Sequence, residues 1–413
     1  MGDRRPEDIK AMNSSGSLSC DQRSKMVERN DSLFRSAAVD MLAEEGWNAL
    51  STRGLSSRCG LTTGALYARF ENMDQLLGEL WVSELSAALM GPIDAAIDAV
   101  RSGDEEGFVA AFGSLVHPGP EVLAATELVL AAMVEPEVEP LVAPGFRVFL
   151  AERTRPSAVV SEVDATVAAT ICFLGLGLAH LAKRSWTATF DMTSELERYF
   201  AALRQPGPAV STPRDEIAEY LSVYPFDTGD ERLDRVLQAT AIVIGEQGYR
   251  RATVQRICRT AGVSTGFLMS RFGTKLDLFA TITEMMWGRG MVQIAGFLAE
   301  ASERLGPAMA EALAWREMQN PVIAKVAVLA LETGRMAGFL PKIAGLVEPQ
   351  EVGFFAGLAD GAPSGYLLSE LALGSGLNLV AWFSPSVRDL PYPCVTVPLV
   401  ASAPPRYLPD TPS

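Results

Sequence analysis

Histidine is nearly missing from this chain, with His117 and His180 alone among 413 residues, and the five cysteines lie so far apart that no Cys-x-x-Cys or Cys/His ligand spacing occurs. A zinc site or a disulfide framework is therefore not expected, and reduced thiols in a cytoplasm fit the cysteine usage. No Walker loop, GxGxxG fingerprint or nucleophile motif occurs, and no catalytic constellation, so neither an enzyme nor a cofactor is expected. Sustained strand alternation is missing from the long apolar stretches. Residues Met1 to Lys25 are polar and serine-rich without the continuous apolar run of a secretory signal, and read as a disordered arm. Basic residues are in deficit, 35 against 50 acidic, for a net charge of −15. Taken alone that argues against a polyanionic partner, because phosphate binding rests on Lys and Arg.

What is present is a soluble-protein composition, 48% hydrophobic and 21% charged, in a chain long enough for two to four domains. One segment, Ala165 to Ala182, carries no formal charge over 18 positions. That is the lower limit for a membrane span. Its small residues suit close helix packing, and its counterpart later in the chain contains Glu370 and Asn378, so a buried interface helix is expected and no membrane. The two histidines read as surface or packing residues. Glu135, Glu137 and Glu139 read as a solvated loop. Trp186, Trp287, Trp315 and Trp382 read as core, with a ligand-cavity lining as the other possibility.

The dominant positive feature is a repeat. Gly46, Gly60, Thr63, Gly64, Leu66, Arg69 and Phe70 recur as Gly248, Gly262, Thr265, Gly266, Leu268, Arg271 and Phe272, each 202 positions later and without a gap. A fainter echo, Leu174-Gly175-Leu176-Gly177-Leu178 against Leu373-Gly374-Ser375-Gly376-Leu377, keeps an offset of 199, so whole units are duplicated. Each copy opens on an amphipathic helix, through Leu33, Phe34, Ala37, Ala38, Met41 and Leu42 or through Leu233, Val236, Leu237, Thr240, Val243 and Ile244. Gly46 and Gly248 are placed to end those helices as αL caps, and Ser51 and Thr253 to cap the next ones.

The order helix, glycine turn, helix is that of a DNA-binding helix-turn-helix. Leu55 and Ile257 tie down the first motif helix, and Leu66, Phe70, Leu268 and Phe272 the inner face of the second. The outer face then presents Thr62, Thr63, Ala65, Tyr67 and Ala68, or Ser264, Thr265, Phe267, Met269 and Ser270. Short hydroxyls suit phosphates or bases, Ala65 and Phe267 suit thymine methyls, and Gly64 and Gly266 let backbone approach DNA. The second copy is the more basic: from Glu246 to Lys275 it has Arg250, Arg251, Arg256, Arg259, Arg271 and Lys275 against one carboxylate, or +5. The first copy, from Glu44 to Met73, balances to zero.

These residues resemble the DNA-binding domain of the tetracycline-repressor (TetR) family of bacterial transcription regulators. Thr253, Val254, Ile257, Ala261, Gly262, Val263, Ser264, Gly266, Leu268, Phe272 and Lys275 fit its signature, and Ser51, Leu55, Gly60, Leu61, Thr62, Gly64, Leu66, Tyr67 and Phe70 fit it more loosely. The resemblance covers roughly residues 26–81 and 231–286. In that family the Tyr of the recognition helix and a following Lys contact phosphate. Here the first copy keeps Tyr67 but has Met73, while the second keeps Lys275 but has Met269. For Arg69 and Arg271, DNA contact and an ion pair are both open.

The fold expected is all-α, two tandem TetR-like units, each a three-helix DNA-binding domain followed by a helical effector and dimerisation domain. The boundaries are an arm at 1–25, DNA-binding domains at 26–83 and 230–286, helical domains at 84–203 and 287–385, a Pro/Gly-rich linker at 204–229 with a short helix at Asp215 to Val223, and a Pro-rich tail at 386–413. The DNA-contacting residues expected are Ser51, Thr52, Arg53, Thr62, Thr63, Gly64, Ala65, Tyr67, Ala68 and Arg69, with Thr253, Ser264, Thr265, Gly266, Phe267, Met269, Ser270, Arg271 and Lys275. The function implied is a cytoplasmic, ligand-released repressor. It would act as a single-chain pseudo-dimer, or as a homodimer, on an imperfectly palindromic double-stranded operator and answer a small-molecule effector. The alternative is a helical ligand-binding or scaffold protein with one or both readers degenerate.

Overall fold

The computed structural model describes residues 20–207, 226–306, 313, 321–358 and 364–390, and among these every regular element is a helix. The first half comprises α1 (Cys20–Glu44), α2 (Thr52–Cys59), α3 (Thr63–Tyr67), α4 (Met73–Leu80), α5 (Ser86–Ser102), α6 (Glu105–Val116), α7 (Pro120–Ala132), α8 (Glu139–Thr154), α9 (Glu162–Leu181) and α10 (Thr193–Arg204). The second comprises α11 (Glu231–Arg251), α12 (Val254–Ala261), α13 (Thr265–Phe272), α14 (Lys275–Leu305), α15 (Pro321–Ala337), α16 (Pro341–Leu358) and α17 (Ser364–Phe383). Two tandem all-α units are thus what the chain builds. Residues 1–19, the expected helix at Asp215 to Val223, Trp315 and the tail beyond residue 390 lie outside the described residues, while α1 begins within the segment read as an arm.

The opening helices pack as their periodicity predicts, with one exception. Phe34, Ala37, Ala38, Met41 and Leu42 are buried, as is the whole equivalent set on α11, but Leu33 is 38% exposed, one position off the core stripe. The glycines predicted to end these helices as αL caps depart from that geometry: Gly46 follows α1 closely, and Gly248 kinks α11 three residues before its end at Arg251. Gly46 (φ 79°, ψ 174°) and Gly248 (φ 72°, ψ 162°) have positive φ with extended ψ, a region open essentially to glycine alone. The chain therefore leaves each helix sharply toward the motif.

Each motif is joined to its own half by a continuous helix. Met73 to Ser102 runs through a π-type turn at Trp81–Leu85, and α14 runs unbroken over 31 residues. The boundaries expected at 83/84 and 286/287 fall inside these helices. Met73–Ser102 and Glu162–Leu181 are long and apolar enough to cross a membrane by length and composition, but 83% of the apolar window of α9 is buried inside the protein.

On one side α9 is covered by α5, α6 and α8 of its own half, and on the other by α17. Gly177 lies against the backbone of Ala372, and Gly376 against the backbone of Phe173, so closely that a Cβ on either glycine would collide with the facing carbonyl. At the offset of 199, Gly376 is the counterpart of Gly177 and Ala372 the counterpart of Phe173. The two contacts are images of one another, the pattern of a two-fold interface. The larger core accordingly runs from the first half into Leu368, Ala372, Leu373, Leu377 and Val380 of the second.

Candidate nucleic-acid interface

Both motifs are built by side-chain capping. Ser51 Oγ accepts the Gly54 N–H at 3.1 Å and Thr62 Oγ1 the Ala65 N–H at 3.2 Å; Thr253 Oγ1 and Ser264 Oγ accept the Arg256 and Phe267 N–H groups, both at 3.2 Å. Each hydroxyl satisfies an orphan amide and keeps its own proton for a phosphate. Gly60 (φ 65°) and Gly262 (φ 67°) adopt the left-handed conformation that closes each turn. Leu66, Phe70 and Leu268 are buried beneath the recognition helices, which span five residues in α3 and eight in α13.

Of the expected contact residues, Ser51, Arg53, Thr62, Thr63, Gly64, Tyr67 and Ala68 are exposed in the first motif, with Thr52 half-buried. Thr253, Ser264, Thr265, Gly266, Met269, Ser270 and Arg271 are exposed in the second. Tyr67 and Met269, at equivalent positions, are 55% and 42% exposed. Ser270 Oγ donates to its own helix at the Phe267 carbonyl.

Three expectations need correction, and for Arg69 the ion-pair alternative is the one found. Ala65 and Phe267 do not stand on the outer face: both are half-buried against the cores, being one residue from the inward Leu66 and Leu268, and the Arg232 guanidinium covers the Phe267 ring at 4.2 Å. Arg69 is drawn into ion pairs with Asp31 (3.2 Å) and Glu79 (3.1 Å). Lys275 Nζ donates to the carbonyls of Tyr249 (2.9 Å) and Arg250 (3.4 Å), lies over the Tyr249 ring, and has its pKa lowered by burial against a raising effect of Glu332. It caps the end of α11. Finally, Glu135 is not in a solvated loop: it is fully buried and accepts Arg250 at 2.8 Å, a hydrogen bond that raises the arginine's pKa.

The electrostatic inequality therefore survives with different members. Arg58 is held by Glu44 and Glu45, and Arg69 as above, which leaves Arg53 as the cation of the first motif without an ion pair among the described residues. In the second, Arg251, Arg256, Arg259 and Arg271 have none.

Behind the motifs lies a buried charge cluster that the sequence reading missed. The N–H of Trp47, just after Gly46, donates to Glu127 Oε1 of α7 at 2.8 Å, and the N–H of Tyr249, just after Gly248, donates to Glu332 Oε1 of α15 at 2.6 Å. Arg335 stands between them, donating to Glu127 at 2.7 Å and to Glu332 at 2.7 and 3.0 Å, with all three side chains at most 2% exposed. Burial opposes the charge on Arg335, but the two carboxylates hold its pKa above the ordinary value. Glu127 and Glu332 stand 205 positions apart, and at that offset Val134 matches Phe339. Phe339 packs on Gly46 and Val134 on Gly248, each from the opposite half. The one available signal was a lone carboxylate in each of two strongly apolar runs.

A cavity of about 10 Å³, room for about one water, adjoins the cluster and is lined by Thr126, Glu127, His180, Lys183, Arg335 and Phe339 among others. Burial lowers the pKa of His180 to about 3 and that of Lys183 to about 8, and the Lys183 ammonium sits 3.6 Å from the centre of the Phe339 ring. Trp186 is buried and donates to Glu351 at 2.9 Å, whereas Trp382 is 44% exposed.

No curated protein matches the chain. The sequence profile of the bacterial regulatory proteins of the tetR family matches it twice, at residues 34–80 and 236–282. Those spans hold both capped motifs and the helices that carry them, at equivalent places in the two halves. The chain thus carries two tandem DNA-binding domains of the tetR type, those of a DNA-binding transcriptional regulator.

Proposed function

We propose that this regulator is a ligand-released repressor whose two halves act as a single-chain pseudo-dimer on an imperfectly palindromic operator. The observation that carries the reading is the image-related pair of contacts, Gly177 on Ala372 and Gly376 on Phe173. Two-fold packing of the halves would present two recognition helices to major grooves roughly 34–36 Å apart. The contacts to DNA would come from Ser51, Arg53, Thr62, Thr63 and Tyr67 in one half-site, and from Thr253, Arg256, Ser264, Thr265, Ser270 and Arg271 in the other. Because the second motif has more arginines without an ion pair among the described residues, its half-site should bind more tightly and with steeper salt dependence.

The anchoring of both motifs supports effector release. A small molecule that parts α7 from α15 would withdraw Glu127 and Glu332 from the Trp47 and Tyr249 amides, and so favour a DNA-incompetent arrangement by linkage. The test is light scattering together with footprinting on duplexes selected from random DNA. A one-chain mass with a footprint on two unequal half-sites supports the proposal. An obligate dimer of chains, or one half-site alone, rejects it.

A further inference from the structure

The two halves meet through contacts that come in image-related pairs, and at three of them the chemistry of the two members differs. The offset of 205 that relates Glu127 to Glu332 continues without a gap along α8 and α16, matching Pro136, Leu141, Val142, Pro144 and Phe149 with Pro341, Leu346, Val347, Pro349 and Phe354. It places Glu351 where the first half has Phe146. Along α9 and α17 the offset of 199 matches Ala182 with Ala381 and Ser185 with Ser384, and places Phe383 where the first half has Arg184.

These four residues form the two members of one contact. Phe146 meets Phe383 edge to face, with ring centroids 5.0 Å apart and planes at 88°. Its image is Arg184 against Glu351, an ion pair at 3.3 Å with both side chains 1% exposed. The guanidinium also donates to the Gly334 carbonyl at 2.8 Å, and Trp186 Nε1 donates to the same carboxylate at 2.9 Å. One side of the interface is aromatic and the other ionic.

A pair of first halves would set Arg184 against Phe146 twice, and a pair of second halves would set Glu351 against Phe383 twice. Either arrangement buries two charges without their partners, at a severe desolvation penalty. The Arg250 site agrees, and the Arg335 site opposes a pair of first halves. Arg335 has Leu130 as its counterpart, so two first halves would face Glu127 to Glu127 with no guanidinium. Arg250 and Glu135 have Asn48 and Leu340, so self-pairing would leave Glu135 or Arg250 unmatched. Of the three charged sites that join the halves, those of Arg184 and Arg250 are complete in the mixed arrangement alone, and that of Arg335 loses its guanidinium in a pair of first halves.

We propose that the interface is a heterospecific code, in which Arg184 with Phe146 on one half and Glu351 with Phe383 on the other make each half accept its opposite and reject a copy of itself. Repulsive elements of this kind set partner choice as much as attractive ones do. This rests on the single-chain reading above. It goes further by assigning the residues that keep two closely similar units from assembling with like units of other chains.

The test uses the full chain. Glu351→Phe makes the internal contact mismatched, Arg184 on an aromatic ring, and makes a contact between two second halves matched. Arg184→Phe does the same for two first halves. The double substitution makes every combination aromatic, and the covalent tether then favours closure within one chain.

Light scattering over a 1–100 µM range should show wild type at the one-chain mass of 44.3 kDa. Each single variant should show dimers that grow with concentration and a thermal midpoint lower by roughly 5 °C or more. The double variant should return to one chain and to within about 2 °C of wild type. Single variants that stay folded at one-chain mass overturn the code. If a single variant does not fold, recovery by the double supports the code and failure to recover overturns it. Wild type that is itself an obligate dimer of chains rejects instead the single-chain reading on which the code stands.

Discussion

Arg335 of the second half donates at 2.7 Å to the carboxylate oxygen of Glu127 that also accepts the Trp47 amide of the first DNA-binding motif. One guanidinium thus completes the anchorage of both motifs. Removing it by Arg335→Leu leaves two buried carboxylates and should cost about 3–5 kcal/mol. Hydrogen exchange should show the Trp47 and Tyr249 amides deprotected together, although the substitution lies in the second half. Because Leu130 is the counterpart of Arg335, adding Leu130→Arg should restore protection at both. Loss confined to Tyr249 would contradict shared anchorage.

The arginines of the second motif separate into two kinds. Arg256→Ala, Arg259→Ala and Arg271→Ala should each weaken DNA binding and reduce the slope of log affinity against log salt by about 0.9 for every phosphate lost, without lowering the thermal midpoint. Arg250→Ala should behave oppositely, lowering the midpoint because Glu135 is left buried and unpaired. Gel-shift titration at several salt concentrations and differential scanning calorimetry check the two effects.

Close approach at the glycines sets a third expectation. Gly177→Ala and Gly376→Ala each drive a methyl into a facing carbonyl, of Ala372 or Phe173. Each should destabilise by roughly 2 kcal/mol or more, and by similar amounts because the two contacts are images. Denaturant unfolding measures both, and a neutral result at either position would contradict the packing.

Lys183 makes stability depend on alkaline pH. Its pKa is about 8 in the folded chain against 10.5 ordinarily, through burial first, with Glu127 raising it and Arg335 lowering it. Between those values the unfolded chain holds a proton that the folded chain has released, so stability rises with pH from about 8 to about 10.5 and is flat below. Lys183→Met should stabilise the protein at pH 7, by roughly 3 kcal/mol at most, and remove that rise. His180, with a pKa near 3 from burial and the Arg184 charge, acts likewise at acid pH: stability falls as pH drops from about 6.5 to about 3. Thermal midpoints across both ranges check the two residues.

The helices and the capped motifs were legible in the sequence because their causes are local: apolar spacing, a hydroxyl at each N-cap, a glycine at each turn. The two-fold character was also legible, in the echo of Leu174 to Leu178 at Leu373 to Leu377. The fate of individual charges was not. Glu135, Lys275 and Arg69 belong to pairings set by residues 26 to 115 positions away or on other helices, and local charge counts register none of these. Ala65 and Phe267 are half-buried because a short recognition helix has a narrow outer face, and a residue beside the anchor is turned under.

That α9 and α17 belong to one polypeptide also changes how the regulator answers its own abundance. Two-chain repressors lose their paired form on dilution, so occupancy of a site falls with the square of concentration when copies are scarce. In the proposed single-chain pseudo-dimer, closure of one helix on the other is unimolecular, and occupancy would fall only in proportion. A cell holding a few molecules would keep a graded, first-order response, and each molecule would be competent as soon as its own second half had folded.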